Sequence, residues 1–293
     1  MVDRPTIRTR RLAAELRRLR ERSTMNLDQV VATLLGSGEG RWSTAKLSRI
    51  ETARQLVRVD ELERLLDVYG VEAERRESLR SLVRAARRRG WWDAYADTIS
   101  EDVADGVSLE AEARSIRTFD GSVVHGLLQT DDYSREVIRV GLMQFASSAE
   151  VERRVEVHRE RRRGLHARAP EPIRLWSIIE EGVLRRSVGT GALMHEQCKR
   201  LAELAGLPNV MLQVLPFGSG AHPGMTGGFS ILEFSDPHLP DVVSVDVRPG
   251  VMYVENDAQV YHYSLAFNQL AMSALGVDES QEFISDLAES QTR

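Results

Sequence analysis

The chain has 293 residues, of which 42% are hydrophobic, and this length is typical of about two domains. Its single cysteine, Cys198, excludes an internal disulfide framework and a cysteine-rich zinc site. The sequence begins without the apolar run of a signal peptide, and no stretch approaches the ~18 uninterrupted apolar residues of a membrane helix, so we expect a cytoplasmic protein with no membrane partner.

The net charge of -5 is unevenly distributed along the chain. Residues 1–92 carry 21 basic and 13 acidic side chains, a net charge of +8, whereas the remaining residues have a net charge of -13. A basic segment joined to an acidic one fits a nucleic-acid-binding unit attached to a second unit. On charge alone, a solvated helical surface without a partner is an equally good interpretation.

Apolar residues at helical spacing predict five short helices in the first ninety residues. They cover residues 10–21, a segment capped by Asn26, residues 43–51 capped by Ser43, a segment from Asp60 to a stop at Gly70, and residues 72–89.

The third of these helices has the character of a helix that reads DNA. Leu47 and Ile50 are predicted to face inward, which leaves a polar outer face. Arginine and lysine suit guanine, and alanine and threonine methyl groups suit the thymine methyl. We therefore expect base contacts from Thr44, Ala45, Lys46, Ser48 and Arg49, and a phosphate contact at the helix N-terminus from Ser43.

The segment from Leu12 to Tyr69 resembles the XRE/Cro-type helix-turn-helix domain. The matching runs are ELRRLRE (15–21), NLDQVVATLLG (26–36) and WSTAKLSRIETAR (42–54). The resemblance implies that an arginine late in the first helix, Arg20, pairs with a glutamate that ends the third, Glu51. It also implies that Thr44, Ala45 and Arg49 contact bases and that Arg54 meets the DNA backbone.

One segment departs from that family. The turn before the third helix is usually about four residues, and SGEGRW (37–42) inserts roughly five more. The insertion predicts a longer loop, in which Arg41 adds a phosphate contact. The alternative interpretation of the whole segment is a five-helix packing module that never meets DNA.

The pattern changes after RRRGWWDAYAD (87–97) to a mixture of helices and strands, which predicts an α+β domain with a mostly antiparallel sheet. The expected helices are 107–116, 131–140, 151–166, 193–205, 258–275 and 280–289, and the expected strands are 173–179, 210–216, 229–234, 242–247 and 251–255. We predict a multidomain chain with a DNA-binding domain over 1–72, an arginine-rich helical connector over 73–105 and an α+β domain over 106–293. Trp91 and Trp92 are expected to act as a hydrophobic latch within the connector; stacking on nucleic acid is the alternative.

The second region is similar to actinobacterial antitoxin-like regulators. The similarity rests on RRRGWWDAYAD, EARSIRTFD, VHGLLQTDDYSREVI, NVMLQVLPFGSGAHPG and FSILEF. It implies a transcriptional regulator with a C-terminal domain that senses a signal or binds a small protein encoded beside it.

No pattern in the second region predicts catalysis, a metal site or a cofactor. The glycine-rich loop around His222 lacks the spacing of phosphate-binding and nucleophile motifs, so it is either a turn that orders a hairpin or a ligand contact. As candidate contacts for a ligand or partner we take Trp176, Arg185, His222 and Tyr253.

These observations predict a non-enzymatic, homodimeric transcriptional regulator that binds a pseudo-palindromic operator in double-stranded DNA. Its second domain would respond to a small-molecule effector. The alternative is an antitoxin-like interaction protein that binds a small neighbour-encoded protein and autoregulates its operon.

Overall fold

A computed structural model describes residues 6–36, 41–87, 90–166, 171–236, 240–248 and 250–290. The chain divides into two compact units, Met1–Gly90 and Trp91–Arg293. Most of the inserted segment, residues 37–40, lies outside the described residues. Among the described residues, no helix combines the length and the apolar character needed to cross a bilayer.

The first unit is all-helical, as predicted. Its helices are α1 (Ile7–Arg22), α2 (Leu27–Gly36), α3 (Thr44–Glu51), α4 (Val59–Val68) and α5 (Ala73–Arg87). Each contributes apolar side chains at helical spacing to one core. The core includes Leu12, Leu16, Val30, Leu34, Leu47, Ile50, Leu62, Leu65, Leu66, Leu79 and Val83.

Side chains fix where α2 and α3 begin. Asn26 accepts a hydrogen bond from the Gln29 amide at 2.9 Å, and the Gln29 side chain accepts one from the Asn26 amide at 2.8 Å. Ser43 accepts a hydrogen bond from the Lys46 amide at 3.1 Å. Both predicted caps are therefore confirmed, and each satisfies an amide that has no partner within its own helix.

The second unit alternates helices and strands. Its helices are α6 (Glu101–Glu110), α7 (Asp131–Gly141), α8 (Ser148–Arg162), α9 (Glu181–Arg185), α10 (Gly191–Ala205), α11 (Asp257–Ser273) and α12 (Val277–Ser290). Its strands are β1 (Ser115–Asp120), β2 (Arg174–Glu180), β3 (Val210–Leu215), β4 (Phe229–Glu233), β5 (Val242–Val247) and β6 (Gly250–Val254).

The six strands form one mixed sheet in the order β3-β2-β1-β4-β5-β6. β1, β2 and β3 pair in parallel, because helices connect them, whereas the other three pairings are antiparallel. The predicted α+β class with a mostly antiparallel sheet is confirmed.

The prediction of a helix over 107–116 is wrong in its second half. The helix α6 ends at Glu110, and Ser115–Asp120 forms the central strand β1. The strand was missed because a buried strand is expected to be apolar, whereas the buried residues of β1 include the polar Thr118 and Asp120.

Side chains on one face of the sheet pack against α11. Because side chains alternate along a strand, Phe119, Ile178 and Phe229 share this face and form one core with Val260, Phe267 and Leu270 of the helix. The opposite alternation places Thr118, Asp120 and Ser177 together on the other face.

Candidate nucleic-acid interface

The helix α3 presents a polar face and buries an apolar one. Leu47 and Ile50 are buried in the core of the first unit, as predicted. Ala45 and Arg49 are exposed, and Thr44 and Ser48 are partly exposed. The Thr44 hydroxyl donates to Asp28 Oδ1 at 2.7 Å, which connects α3 to the first turn of α2.

Arg20 and Glu51 form the ion pair that the family resemblance implies. Arg20 Nε and Nη2 donate to the two Glu51 oxygens at 2.8 and 2.9 Å, and Nη1 donates to the Met25 carbonyl at 3.0 Å. The hydrogen bond to Glu51 is the main reason why the pKa of Arg20 is raised. The pair joins the end of α1 to the end of α3, so it fixes the position of α3 in the bundle.

Lys46 is placed differently from the other polar residues of α3. Its ammonium lies 2.6 Å from Glu61 Oε1, donates to the Arg41 carbonyl at 3.1 Å and lies 4.5 Å from the centre of the Trp42 ring. These contacts direct the charge towards α4 and the residues before α3. Base reading by Lys46 stays a prediction that no contact seen here supports.

The arginines of α5 and those next to α3 differ in their partners. Four arginines of α5 are neutralised by neighbouring carboxylates: Arg75 by Glu15, Arg76 by Asp67, Arg80 by Glu63 and Arg84 by Glu77. By contrast, no ion pair within the described parts of the chain engages Arg41, Arg49 or Arg54, all three of which are exposed. Uncompensated positive charge therefore lies in α3 and within a few residues of its two ends, where a phosphate backbone would be attracted.

The end of α3 has a strained backbone that determines where Arg54 emerges. Ala53 has φ of 58°, and the amides of Ala53 and Arg54 donate to the carbonyls of Ile50 and Arg49 at 3.1 and 2.8 Å. This is the Schellman arrangement, in which glycine is the usual left-handed residue. It carries the chain away from the helix immediately before Arg54.

Sequence reasoning missed the partners of the polar residues of α3. Asp28, Trp42, Gln55 and Glu61 all contact side chains of this helix. Only Glu61 has a local signal, because it lies three residues after Arg58 and accepts from the Arg58 amide at 2.9 Å, as an acidic residue at that helical position often does.

The four candidate contacts of the second unit do not form one site. Trp176 lies on β2 and donates to Gln213 Oε1 at 2.8 Å, whereas Tyr253 lies on the edge strand β6 and donates to the Asp102 carbonyl at 2.6 Å. Three strands separate β2 from β6, a distance of roughly 19 Å. Their ligand roles stay predictions.

The other two candidates have separate surroundings. Arg185 pairs with Glu181 at 2.6 Å and lies over the Phe283 ring. His222 contacts the edge of Phe119, and its buried Nδ1 has no hydrogen-bond partner. Among the described residues, no group of three or more His, Cys, Asp or Glu side chains is arranged to bind a metal ion.

Trp91 and Trp92 lie in a short 3-10 helix, Trp91–Tyr95, with ring centres 5.9 Å apart. The pair packs against a cluster of the second unit formed by Ile99, Val107 and Val157. Its role as a latch stays a prediction.

A buried carboxyl group at the end of β1 was not anticipated. Asp120 accepts hydrogen bonds from the hydroxyls of Ser177 at 2.8 Å and Thr118 at 3.1 Å. Burial raises its pKa to about 7; hydrogen bonds from these hydroxyls and from the His125 amide oppose that increase. The signal in the sequence was a lone aspartate at the carboxyl end of a strand, a common position for functional groups in parallel sheets.

Two histidines of the second unit are kept neutral. Burial, followed by the charge of Arg161, lowers the pKa of His125 to about 4 and that of His158 to about 3. Arg161 itself is held by Glu110, with Nη2 2.7 Å from Oε2. The arrangement is a buried polar cluster.

Comparison with known families agrees with this two-unit organisation. Residues 11–79 match the family described as Helix-turn-helix domain, which indicates a DNA-binding regulator. Residues 103–286 match the family described as Domain of unknown function (DUF5753). Neither a curated protein nor a solved structure matches the chain significantly. Because the second match covers more than half of the chain, the protein belongs to the DUF5753 family, with a helix-turn-helix domain preceding the domain that defines it.

Proposed function

We propose that the protein is a sequence-specific transcriptional regulator of the XRE/Cro type, in which α3 is the recognition helix. The observation that carries the proposal is the group of exposed arginines at residues 41, 49 and 54, which are free of ion pairs within the described residues and surround a polar helix face. Thr44, Ala45, Ser48 and Arg49 read bases in this proposal. Arg41, Ser43 and Arg54 contact phosphates.

The regulator acts as a homodimer in this proposal. Two copies of α3 would enter neighbouring major grooves about one helical turn apart, which requires a pseudo-palindromic operator. The protein acts in the cytoplasm and performs no catalysis itself.

The test begins with selection of preferred sequences from random duplexes by the purified full-length chain, followed by affinity measurements over a salt series. We expect Arg49→Ala to cost about 1–3 kcal/mol and to relax the preference at one base pair. Arg54→Ala should weaken binding to all sequences alike and reduce the salt slope by about 1.

Arg84→Ala is the matched control, because Arg84 is also an exposed arginine of the first unit but is paired with Glu77. It should leave the base preference unchanged. If Arg49→Ala and Arg54→Ala bind the selected sequence as the parent protein does, α3 is not the recognition helix.

We propose that the second unit controls DNA release, because its resemblance to actinobacterial antitoxin-like regulators implies a sensory or partner-binding domain. The signal that triggers this release is a small-molecule effector. Titration of candidate metabolites into the preformed complex tests it, and a specific loss of DNA binding is the expected result.

A second candidate, an interaction protein that binds a small neighbour-encoded partner, is favoured by one surface. Val140 at the end of α7, and Met143 and Phe145 in the connection to α8, are exposed, with 87% of Phe145 accessible. Exposed apolar surface is one mark of a protein interaction site. The acidic charge of the second region would favour a basic partner.

The product of the adjacent gene is the partner to test. We expect Phe145→Ser to weaken the complex, whereas Met272→Ser, which removes a similarly exposed apolar group from α11, should not. An unchanged affinity for the Phe145→Ser protein would exclude this surface.

A further inference from the structure

Lysine is rare in this chain, and one of its two copies lies inside the proposed recognition helix. Of the 39 basic residues only Lys46 and Lys199 are lysine. Lys46 is largely covered, since only 17% of its side chain is exposed. A basic residue on a DNA-reading face would extend into solvent before DNA binds. The environment of Lys46 therefore suggests a different role.

The three contacts of the ammonium belong to separate parts of the first unit. The Arg41 carbonyl and the Trp42 ring come from the two residues before Ser43, the cap of α3, and Glu61 comes from the first turn of α4. Trp42 is buried. Lys46 of α3 thus contacts both the residues just before its own helix, Arg41 and Trp42, and the first turn of α4.

Glu61 connects this point to the start of α4. One carboxylate oxygen accepts the Lys46 ammonium at 2.6 Å, and the other accepts the Arg58 amide at 2.9 Å. Since Glu61 is buried, loss of the ammonium would leave a carboxylate without its counter-charge, a state that is costly away from water.

We propose that Lys46 is a positioning residue for DNA recognition. It fixes Arg41, Trp42 and α4 to the recognition helix, and it does not itself read DNA. This inference rests on the proposed function of α3.

The chemistry explains why the residue is lysine in a chain that otherwise uses arginine. An ammonium is a compact charge with three N–H donors that point in different directions, so it can bind a carboxylate and a carbonyl while lying over a ring. A guanidinium is larger, and its N–H donors are held in one plane in a fixed fork. Lys46→Arg should therefore keep the positive charge without keeping all three contacts.

The experiment measures operator affinity over a salt series for the full-length Lys46→Met, Glu61→Gln and doubly substituted proteins. If Lys46 is a positioning residue, each single substitution weakens operator binding by about tenfold. The doubly substituted protein then binds no more weakly than the single variant with the lower affinity. The salt slope stays that of the parent, because no phosphate contact is lost.

The opposite role gives opposite results. If Lys46 contacts DNA, Glu61→Gln frees its ammonium and strengthens binding, while Lys46→Met lowers the salt slope by about 1. Either result overturns the proposal. The Lys46→Arg protein should bind the operator no more tightly than the Lys46→Met protein. Binding by the Lys46→Arg protein as tight as that of the parent would also overturn the proposal.

A second measurement, the unfolding of the same proteins without DNA, keeps the test independent of the proposed function. Amide hydrogen exchange in α3 and α4 should show that the Lys46→Met and Glu61→Gln effects are not additive, whereas additive effects would contradict the contact. If Arg49→Ala leaves base preference intact while this coupling is present, the proposed function fails and the structural part of the inference stands.

Discussion

At the residue scale, the roles of the charged side chains in the first unit follow from whether a partner already neutralises them. Arg80 and Arg84 are bound by Glu63 and Glu77, each 2.5 Å away, so little of their charge is available to a phosphate. Arg49 and Arg54 have no such carboxylate among the described residues. The count of basic residues, which fits DNA binding and a solvated surface equally well, could not make this distinction.

The ion pair between Arg20 and Glu51 should carry much of the stability of the first unit. Only 14% of the Arg20 side chain and 5% of the Glu51 side chain are exposed. Arg20→Ala leaves a buried carboxylate unpaired, so we expect the free energy of unfolding to fall by about 3 kcal/mol, measured by hydrogen exchange of α1 and α3.

Arg17→Ala on the same helix is the control, because its pair with Glu21 is 60% and 54% exposed. Exposed pairs at this spacing contribute little to stability, because water and salt screen their charges. Equal losses for the two arginine substitutions would show that the pair with Glu51 does not hold α3 in place.

Asp120 should make the stability of the second unit depend on pH. Its pKa is raised from 3.8 to about 7, first by burial and to a lesser extent by the charge of Asp246. The folded state therefore binds the proton more tightly than the unfolded state. The resulting stabilisation is complete below pH 3.8 and is lost as the pH rises through 7.

Asp120→Asn removes this titration while keeping a side chain of the same shape. The stability of the variant relative to the parent should rise by about 4 kcal/mol between pH 4 and pH 8, at about 1.4 kcal/mol per unit of pKa shift. The histidines at 125 and 158 titrate in both proteins and cancel in the difference. Thermal unfolding across this range measures it, and a flat difference would show that Asp120 is ionised throughout.

At the scale of elements, the sequence predicted the helices of the first unit well because their signals are local. Leucines at helical spacing and the caps at Asn26 and Ser43 act within a few residues of one another. The prediction of β1 failed for the opposite reason, because its signals are not local. Thr118 pairs with Phe229 and Asp120 with Ser177, and both partners are at least 57 residues away along the chain. The contact of Lys46 with Glu61 was missed in the same way, since Glu61 lies on another helix.

The end of α1 contains a correctable strain. Thr24 is exposed and has φ of 58°, a left-handed conformation that a β-branched residue adopts only at a cost. Thr24→Gly should raise the free energy of unfolding of the first unit by about 1 kcal/mol. Hydrogen exchange of α1 and α2 would report the gain.

The same substitution at Thr33 should act in the opposite direction. Thr33 is exposed inside α2, and its hydroxyl donates to the Gln29 carbonyl at 3.0 Å. Glycine there costs about 0.5 kcal/mol through lower helix propensity. If glycine destabilised both positions, the left-handed backbone at Thr24 would not be a source of strain.

At the scale of the whole molecule, the two units have separate cores and opposite charges. The leucine-rich core of α1 to α5 and the core between α11 and the sheet each bury side chains from their own unit. The change from a net charge of +8 to one of -13 was visible in the sequence, because charge requires no knowledge of the fold. What the second unit binds was not visible, because its candidate residues have no shared pattern.

Separate cores predict that the two units fold independently when residues 1–90 and 91–293 are produced as separate fragments. Each fragment should unfold cooperatively, as small domains usually do. Fragment 1–90 should retain the base preference of the full chain, because α3 and the unpaired arginines lie within it. If the second unit brings two copies together, this fragment should bind the full operator at least 100-fold more weakly, since linked half-site contacts gain that much from effective concentration. Equal affinity of the fragment and the full chain would place the dimer contacts, if any exist, within the first unit.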